Sequence, residues 1–203
     1  MANTVHRSVD CTTTDCPHYS TCCRMPSSIY YNEANTVDVV IVGQGAGWQE
    51  EHAKRSWCGK AGELLRTILR NVKQDHMWDY GICLTNTVRC RPTEMIDGKA
   101  TDRAPTVVEL TYCMPYLYRD ILEIHPQVIL LMGGSAAKAF NFDGSVTSLR
   151  GRQQVVDLVT MQIPAIVTFH PAGVLRSPGL GKDMRRDIER AFNLAKERYG
   201  ESK

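Results

Sequence analysis

The sequence contains no long apolar segment and no strong excess of charge of either sign. The N-terminal residues Met1–Arg7 lack the apolar core of a secretory signal peptide, and no apolar run approaches the length of a membrane span. Because the formal net charge is only +2, any contact with nucleic acid must come from a local surface. Internal repeats and low-complexity segments are absent as well. We therefore expect a cytoplasmic protein that forms a single globular domain over residues 1–203.

Cysteine, in contrast, is abundant. Without an export signal, eight cysteines favour metal ligation over disulfides. The cysteines of greatest interest flank polar, glycine-containing segments: Cys11, Cys16, Cys90 and Cys113. Their placement predicts a buried metal cluster that braces a site for nucleic acid.

Four short apolar runs predict the buried strands of a parallel sheet. They are Val37–Gly43, Tyr80–Asn86, Gln127–Gly133 and Ile163–Phe169. The predicted helices are Gly62–Leu69, a helix that Thr106 can cap, Ser135–Phe140, and a final helix over about Lys182 to Arg198. Residues 1–35 are polar and carry cysteines, which predicts a loop-rich arm. Strands that alternate with helices predict an α/β fold with helices on both faces of the sheet.

Three polar segments come directly after predicted strands. They begin at Gly43, at Asn86 and at His170. Ligands in this class of fold bind at the carboxyl ends of the strands. We therefore expect the three segments to form one active site.

Four sequence blocks match conserved blocks of a known family and occur in the same order. They are Leu84–Pro92, Cys113–Leu117, Leu131–Ala139 and His170–Arg176. Together with the cysteines, they resemble the uracil-DNA glycosylase superfamily, and most of all its iron–sulfur branch, family 4. The resemblance runs from about Cys11 to the final helix. It implies a three-layer α/β/α sandwich around a short parallel sheet, and hydrolysis of the bond between a damaged base and deoxyribose in DNA, by a monomer.

The resemblance also implies a [4Fe–4S] cluster with a structural role, because hydrolysis of a base moves no electrons. It assigns the ligands to the cysteines already named: Cys11, Cys16, Cys90 and Cys113. The gap of four residues between Cys11 and Cys16 exceeds the two that are usual in the family, so Cys22 or Cys23 remains an alternative to Cys11. A zinc site and free structural thiols are the other readings, since zinc also accepts four thiolates.

The resemblance assigns three residues to contacts with the base. His170 would donate a hydrogen bond to O2 of the departing pyrimidine, where negative charge develops. Asn86 would read the edge of the base with its amide, which offers a donor and an acceptor. Trp57 stands where the family usually has a phenylalanine that stacks on the extruded base; a core aromatic is the alternative.

Further residues would contact the DNA around the extruded nucleotide. Val174 or Leu175, on the loop after His170, is the candidate wedge, with Arg176 placed for a phosphate. The same residues could instead anchor the loop to the core. Ser135, in the turn Gly133-Gly134-Ser135 before a helix, is a second candidate for a phosphate contact, although a tight turn explains it equally well.

The first block departs from the family, which has Gly-Glu-Ala-Pro-Gly where this chain has Gly43-Gln44-Gly45-Ala46-Gly47. A glutamine cannot act as a general base, although its carbonyl can orient a water molecule. Glu50 and Glu51 follow as possible displaced carboxylates. Gly45 and Ala46 would give a smaller and less rigid wall to the cleft.

These departures leave the substrate open. Uracil, another deaminated base, or a bulky 5-modified cytosine of phage DNA, as in an anti-phage member of the superfamily, would each fit the blocks. No lysine nucleophile occurs in them, which predicts a monofunctional glycosylase. The alternative in another class is an iron–sulfur DNA-binding protein that has lost catalysis.

Overall fold

A computed structural model describes residues 4–7, 11, 13–18, 20, 24–76 and 80–201. Its strands are β1 (Thr4–Arg7), β2 (Ser27–Tyr30), β3 (Val39–Gly43), β4 (Ile82–Asn86), β5 (Thr93–Ile96), β6 (Lys99–Asp102), β7 (Val128–Met132), β8 (Gln153–Asp157) and β9 (Gln162–Thr168). Its helices are α1 (Trp48–Ala53), α2 (Lys60–His76), α3 (Val107–Ile124), α4 (Gly134–Ala139), α5 (Val146–Leu149), α6 (Pro171–Arg176) and α7 (Gly181–Glu201). In the part of the chain that is described, no helix is both long and apolar enough to cross a membrane.

The centre of the main sheet is parallel, as the sequence predicts. Its strand order is β1-β2-β4-β3-β7-β9-β8, and the four central strands β4, β3, β7 and β9 run in the same direction. Every residue of β3 and of β7 is buried, because helices cover both faces of the sheet. The predicted runs differ from the observed strands by only one or two residues at their ends.

Alternate residues of the central strands belong to two separate cores, one on each face. Val40 and Val42 pack with α3 and α4, whereas Val39 and Ile41 pack with α2 and α7. A continuous apolar strand is needed for this arrangement, since both side-chain directions must be apolar. The α/β fold with three layers is therefore confirmed.

The edges of the main sheet are antiparallel, which the sequence analysis did not anticipate. β1 and β2 lie in the segment expected to be a loop-rich arm, and β2 pairs with β4 in the register Ser28↔Leu84. Ser27 and Ser28 are fully buried although they are polar, and the Ser27 hydroxyl donates to Thr85 Oγ1 at 3.1 Å. Apolar patterning missed this strand because its polar side chains are satisfied by partners distant in sequence.

The polar stretch between β4 and α3 also contains structure. β5 and β6 form an exposed hairpin whose turn residues, Asp97 and Gly98, both have positive φ values of 49° and 73°. Immediately after the hairpin, Thr106 caps α3 as predicted. Glu109 completes a capping box, since the Glu109 N–H donates to Thr106 Oγ1 at 3.2 Å and the Thr106 N–H donates to Glu109 Oε2 at 2.6 Å.

Candidate active site

The three polar segments meet at the carboxyl edge of the central sheet. Gly43, the last residue of β3, pairs with Asn86, the last residue of β4. A Cβ atom at Gly43 would lie 2.5 Å from Asn86 Oδ1 and 2.6 Å from the Trp57 ring, so only glycine allows these two side chains to approach. A cavity of about 640 Å³ opens here, and its lining includes Gln44, Trp57, Asn86 and His170.

Trp57 forms one wall of this cavity. Its side chain is buried within the core under α2, and its indole Nε1–H donates to the Thr85 carbonyl at 3.2 Å. Arg66 donates to the Trp57 carbonyl at 2.6 Å, which holds the backbone in its left-handed conformation, with a φ of 57°. Trp57 is thus both a core aromatic and part of the cavity wall.

Asn86 brings an amide to the same cavity. The residue is buried, and its side chain makes no hydrogen bond with any residue that the structure describes. A buried amide normally finds partners. Its donor and acceptor therefore remain available to a ligand in the cavity.

His170 precedes α6 as its N-cap and stacks on Trp57, with ring centroids 5.6 Å apart. Its Nδ1 accepts a hydrogen bond from the Ala172 N–H at 3.2 Å. Burial, together with the nearby charge of Arg176, lowers the pKa of His170 to about 4. The ring is consequently neutral near pH 7, and because Nδ1 is an acceptor, the proton resides on Nε2.

Gln44 is held in one orientation by two hydrogen bonds. Its Nε2 donates to the Arg103 carbonyl at 2.7 Å, and its Oε1 accepts from the Ser135 hydroxyl at 2.8 Å. The amide keeps one N–H and one lone pair of the oxygen for other partners. The Ser135 hydroxyl is therefore used within the protein, and a phosphate contact at Ser135 stays a prediction.

The neighbours of Gln44 also line the cavity. Ala46 is buried, and a Cβ atom at Gly45 would come within 2.9 Å of Pro92 and 3.0 Å of Val88. Since these side chains fill the space beside Gly45, the glycine does not widen the cavity on that side.

Of the two following glutamates, one belongs to the cavity. Glu50 lines it and accepts a hydrogen bond from the Gly59 N–H at 2.8 Å. Glu51 pairs instead with Arg91 at 3.2 Å. Glu50 is therefore the better placed of the two as a displaced carboxylate.

The residues after His170 form a short helix rather than the expected loop. Within α6, Val174 is buried in the core with α7, which favours the alternative that it anchors this segment; its role as a wedge stays a prediction. Leu175 is 47% exposed and lines the cavity together with the exposed Arg176. The helical turn sends neighbouring side chains in different directions, which separates the two candidates.

The four candidate cysteine ligands are all buried. The pKa of the Cys113 thiol is raised to about 11, with burial the largest cause and the thiols of Cys16 and Cys11 contributing to the same rise. Chemically this donor set suits an iron–sulfur cluster. Among the described residues, however, no three His, Cys, Asp or Glu side chains are arranged to hold a metal ion. The alternatives Cys22 and Cys23 lie outside those residues.

One element of the site had no signal in the sequence patterns. The Arg103 guanidinium donates to both carboxylate oxygens of Glu109, at 2.8 and 2.7 Å, while His18 of the N-terminal arm contacts the same carboxylate. These bonds lower the pKa of Glu109 to about 2, with Arg103 the largest cause. The spacing of Glu109, three residues after the Thr106 cap, is the one signal in the sequence that could have pointed to it.

This architecture defines a class of protein. The sequence model of the Uracil DNA glycosylase superfamily matches residues 30–193, which include the residues lining the cavity and all four motif blocks. The chain belongs to the uracil-DNA glycosylase superfamily.

Curated relatives specify the branch. A type-4 uracil-DNA glycosylase of Thermotoga maritima is 34% identical over 165 residues, which cover 78% of each chain. That of Sulfurisphaera tokodaii is 30% identical over 167 residues, covering 78% of this chain and 70% of the relative. That of Pyrobaculum aerophilum is 29% identical over 168 residues, covering 79% and 80%. The resemblance to the type-4, iron–sulfur branch is confirmed.

Proposed function

We propose that this chain is a monofunctional DNA glycosylase that hydrolyses the N-glycosidic bond of an extruded uracil or modified pyrimidine and leaves an abasic site. The observation that carries the proposal is one cavity lined by an aromatic wall (Trp57), an unengaged amide (Asn86) and a neutral histidine with its proton on Nε2 (His170). Base excision has three requirements, and the residues that line this cavity are suited to them.

The first need is to hold a base outside the helix. Stacking on an aromatic side chain contributes about 1–3 kcal/mol for each base, and Trp57 is fixed for this purpose by its own hydrogen bond to Thr85. The amide of Asn86 complements the N3–O4 edge of uracil. Because it also complements the N3–N4 edge of cytosine when turned over, Asn86 does not by itself select the base.

The second need is to stabilise the departing base. Negative charge develops on the pyrimidine ring and its O2 as the glycosidic bond breaks. The Nε2–H of His170 supplies a hydrogen-bond donor in a buried site, where such a bond is most effective. A neutral imidazole can donate this hydrogen bond. Because Nδ1 accepts a hydrogen bond from the Ala172 N–H, the proton of the ring stays on Nε2.

The third need is a water molecule on the sugar. Gln44 orients it through the second lone pair of Oε1, which Ser135 leaves available. Glu50 is the carboxylate that lines the cavity at this end of α1. Leu175 fills the gap left by the extruded nucleotide, and Arg176 contacts a phosphate. The partner is therefore DNA. The protein acts on it as a monomer.

A [4Fe–4S] cluster on Cys11, Cys16, Cys90 and Cys113 completes the proposal. When bound, it supplies a covalent tie between the N-terminal arm, the segment after β4 and α3. Its role is structural. Iron and sulfide analysis, with the visible absorbance of the purified protein, distinguishes it from zinc.

The substrate range is tested on DNA duplexes that contain uracil, hypoxanthine or glucosylated hydroxymethylcytosine, followed by alkali to cleave abasic sites. The cavity volume of about 640 Å³ lies within the usual range for small-molecule sites, about 300–1,000 Å³. We expect strand scission on at least one duplex, and much slower scission with His170→Ala. If no duplex is cleaved by folded protein, the glycosylase proposal is wrong.

The second candidate is a DNA-binding protein without catalysis, which the glutamine at position 44 favours. It predicts DNA binding with no scission, and the same binding by His170→Ala. The duplex panel, combined with a binding measurement, therefore separates the two functions.

A further inference from the structure

The surroundings of Gln44 are more restrictive than a water-binding position requires. The Gln44 backbone carbonyl accepts from the Thr87 hydroxyl at 2.6 Å and from the Val88 N–H at 3.3 Å. The backbone is thereby fixed, and the side chain reaches the Arg103 carbonyl from a defined position. The two polar atoms of the side chain have different partners: Nε2 contacts the Arg103 carbonyl, and Oε1 contacts the Ser135 hydroxyl.

The two partners do not have equal freedom. The Ser135 hydroxyl can donate or accept, so it would tolerate either atom of an amide or a carboxylate. The Arg103 carbonyl can only accept. An N–H group must therefore face Arg103, which also determines the orientation of the amide.

Arg103 cannot easily turn its carbonyl away. Its guanidinium is bound by Glu109, its Nε donates to the Thr93 carbonyl at 3.0 Å, and its backbone N–H donates to the Pro92 carbonyl at 3.1 Å. Both ends of the residue are thus tied to the base of the hairpin and to α3.

We infer that this chain requires an amide and excludes an ionised carboxylate at position 44, because the side chain there must donate to the Arg103 carbonyl. A glutamate would place two acceptors against each other at 2.7 Å unless it were protonated. The glutamine is therefore specified by the hairpin and α3, and returning the family's glutamate to this position would not restore a better enzyme. The inference uses the proposed function only for its kinetic consequence.

The test compares the thermal unfolding of Gln44→Glu and the wild-type holoprotein between pH 5 and pH 8. The repulsion raises the folded-state pKa of the new carboxyl above its unfolded value. The variant is therefore close to wild type at low pH and loses stability as pH rises through the raised pKa. We expect a Tm difference that grows to about 3–10 °C at pH 8.

Other charges lining the cavity would also act on a carboxylate at position 44. They are Glu50 on α1, Lys60 on α2, Asp102 at the end of the hairpin, Arg103 directly after it, and His170 and Arg176 at α6. Gln49→Glu introduces the same charge into the same cavity from an exposed position, without a carbonyl partner, and serves as the matched control. Its Tm difference from wild type should not grow between pH 5 and pH 8.

Gln44→Met removes both hydrogen bonds and adds no charge, so its Tm difference should be independent of pH. A Gln44→Glu variant with a pH-independent Tm difference, or with wild-type stability at pH 8, would overturn the inference. The unfolding measurement needs no substrate and remains decisive if the glycosylase proposal fails. Where excision is observed, Gln44→Glu should be slower than wild type at pH 8; a faster variant contradicts the inference.

Discussion

The contact between Glu109 and Arg103 offers a direct test of how the site is supported. Glu109→Gln keeps the shape of the side chain and removes its charge. The structure predicts a large loss, because the Glu109 carboxylate is 4% exposed and is bound by Arg103, His18 and the Thr106 N–H. The Arg103 guanidinium would lose its ionic partner.

The magnitude follows from the pKa of Glu109. The Arg103 guanidinium is the main cause that lowers this pKa from 4.5 to about 2. At 1.36 kcal/mol for each pH unit, the ionised form is favoured in the folded protein by about 3 kcal/mol. Since the folded-state pKa is lowered, this stability is present above pH 4.5 and is lost as pH falls towards about 2.

The assay is urea unfolding of wild type and Glu109→Gln, matched in iron content, from pH 7 downwards. We expect a deficit of about 3 kcal/mol at pH 7 that narrows once the pH falls below about 4.5. Glu123→Gln is the control, because Glu123 lies on the same helix, is 46% exposed and faces Arg119 at 3.8 Å. Its effect should stay within about 1 kcal/mol. A deficit for Glu109→Gln no larger than that of the control would refute the reasoning.

The remaining predictions concern chemistry, DNA and metal. Burial lowers the pKa of His170 to about 4, so protonation of this ring should not slow excision between pH 8 and pH 5. The excision rate should fall as pH decreases through about 4. A decline centred near pH 6.5 in single-turnover assays would contradict the neutral imidazole. His170→Ala should reduce the single-turnover rate by about 10²–10³-fold. Leu175→Ala should weaken excision from duplex DNA and leave the Tm unchanged, whereas Val174→Ala should lower the free energy of unfolding by roughly 1–2 kcal/mol. If instead Val174→Ala weakens excision and Leu175→Ala lowers stability, Val174 is the wedge. Cys113→Ser should reduce the iron content of the purified protein, while Cys83→Ser, a buried thiol in β4, should retain it; equal iron in both would remove Cys113 from the ligand set.

The predicted site was recovered where residues at strand ends carried it. Gln44, Asn86 and His170 were expected together, since parallel strands bring their carboxyl ends to one edge, and they do line one cavity. The burial of Val174 was not anticipated, because the segment after His170 is a helix of only six residues, with Pro171 at its start. Such a short segment has too few positions to show helical periodicity.

The sequence by itself determined the four central strands, the cap of α3 and the order of the motif segments. In each case the information is local: a strand buried on both faces must be apolar throughout, and a cap needs its hydroxyl and glutamate at fixed spacing. The tertiary structure alone decided the edge strand β2 and the orientation of Gln44. Ser27 finds its partner 58 residues away, and Gln44 finds a backbone carbonyl 59 residues away. Every residue has such a carbonyl, so only the folded chain reveals which one Gln44 must meet.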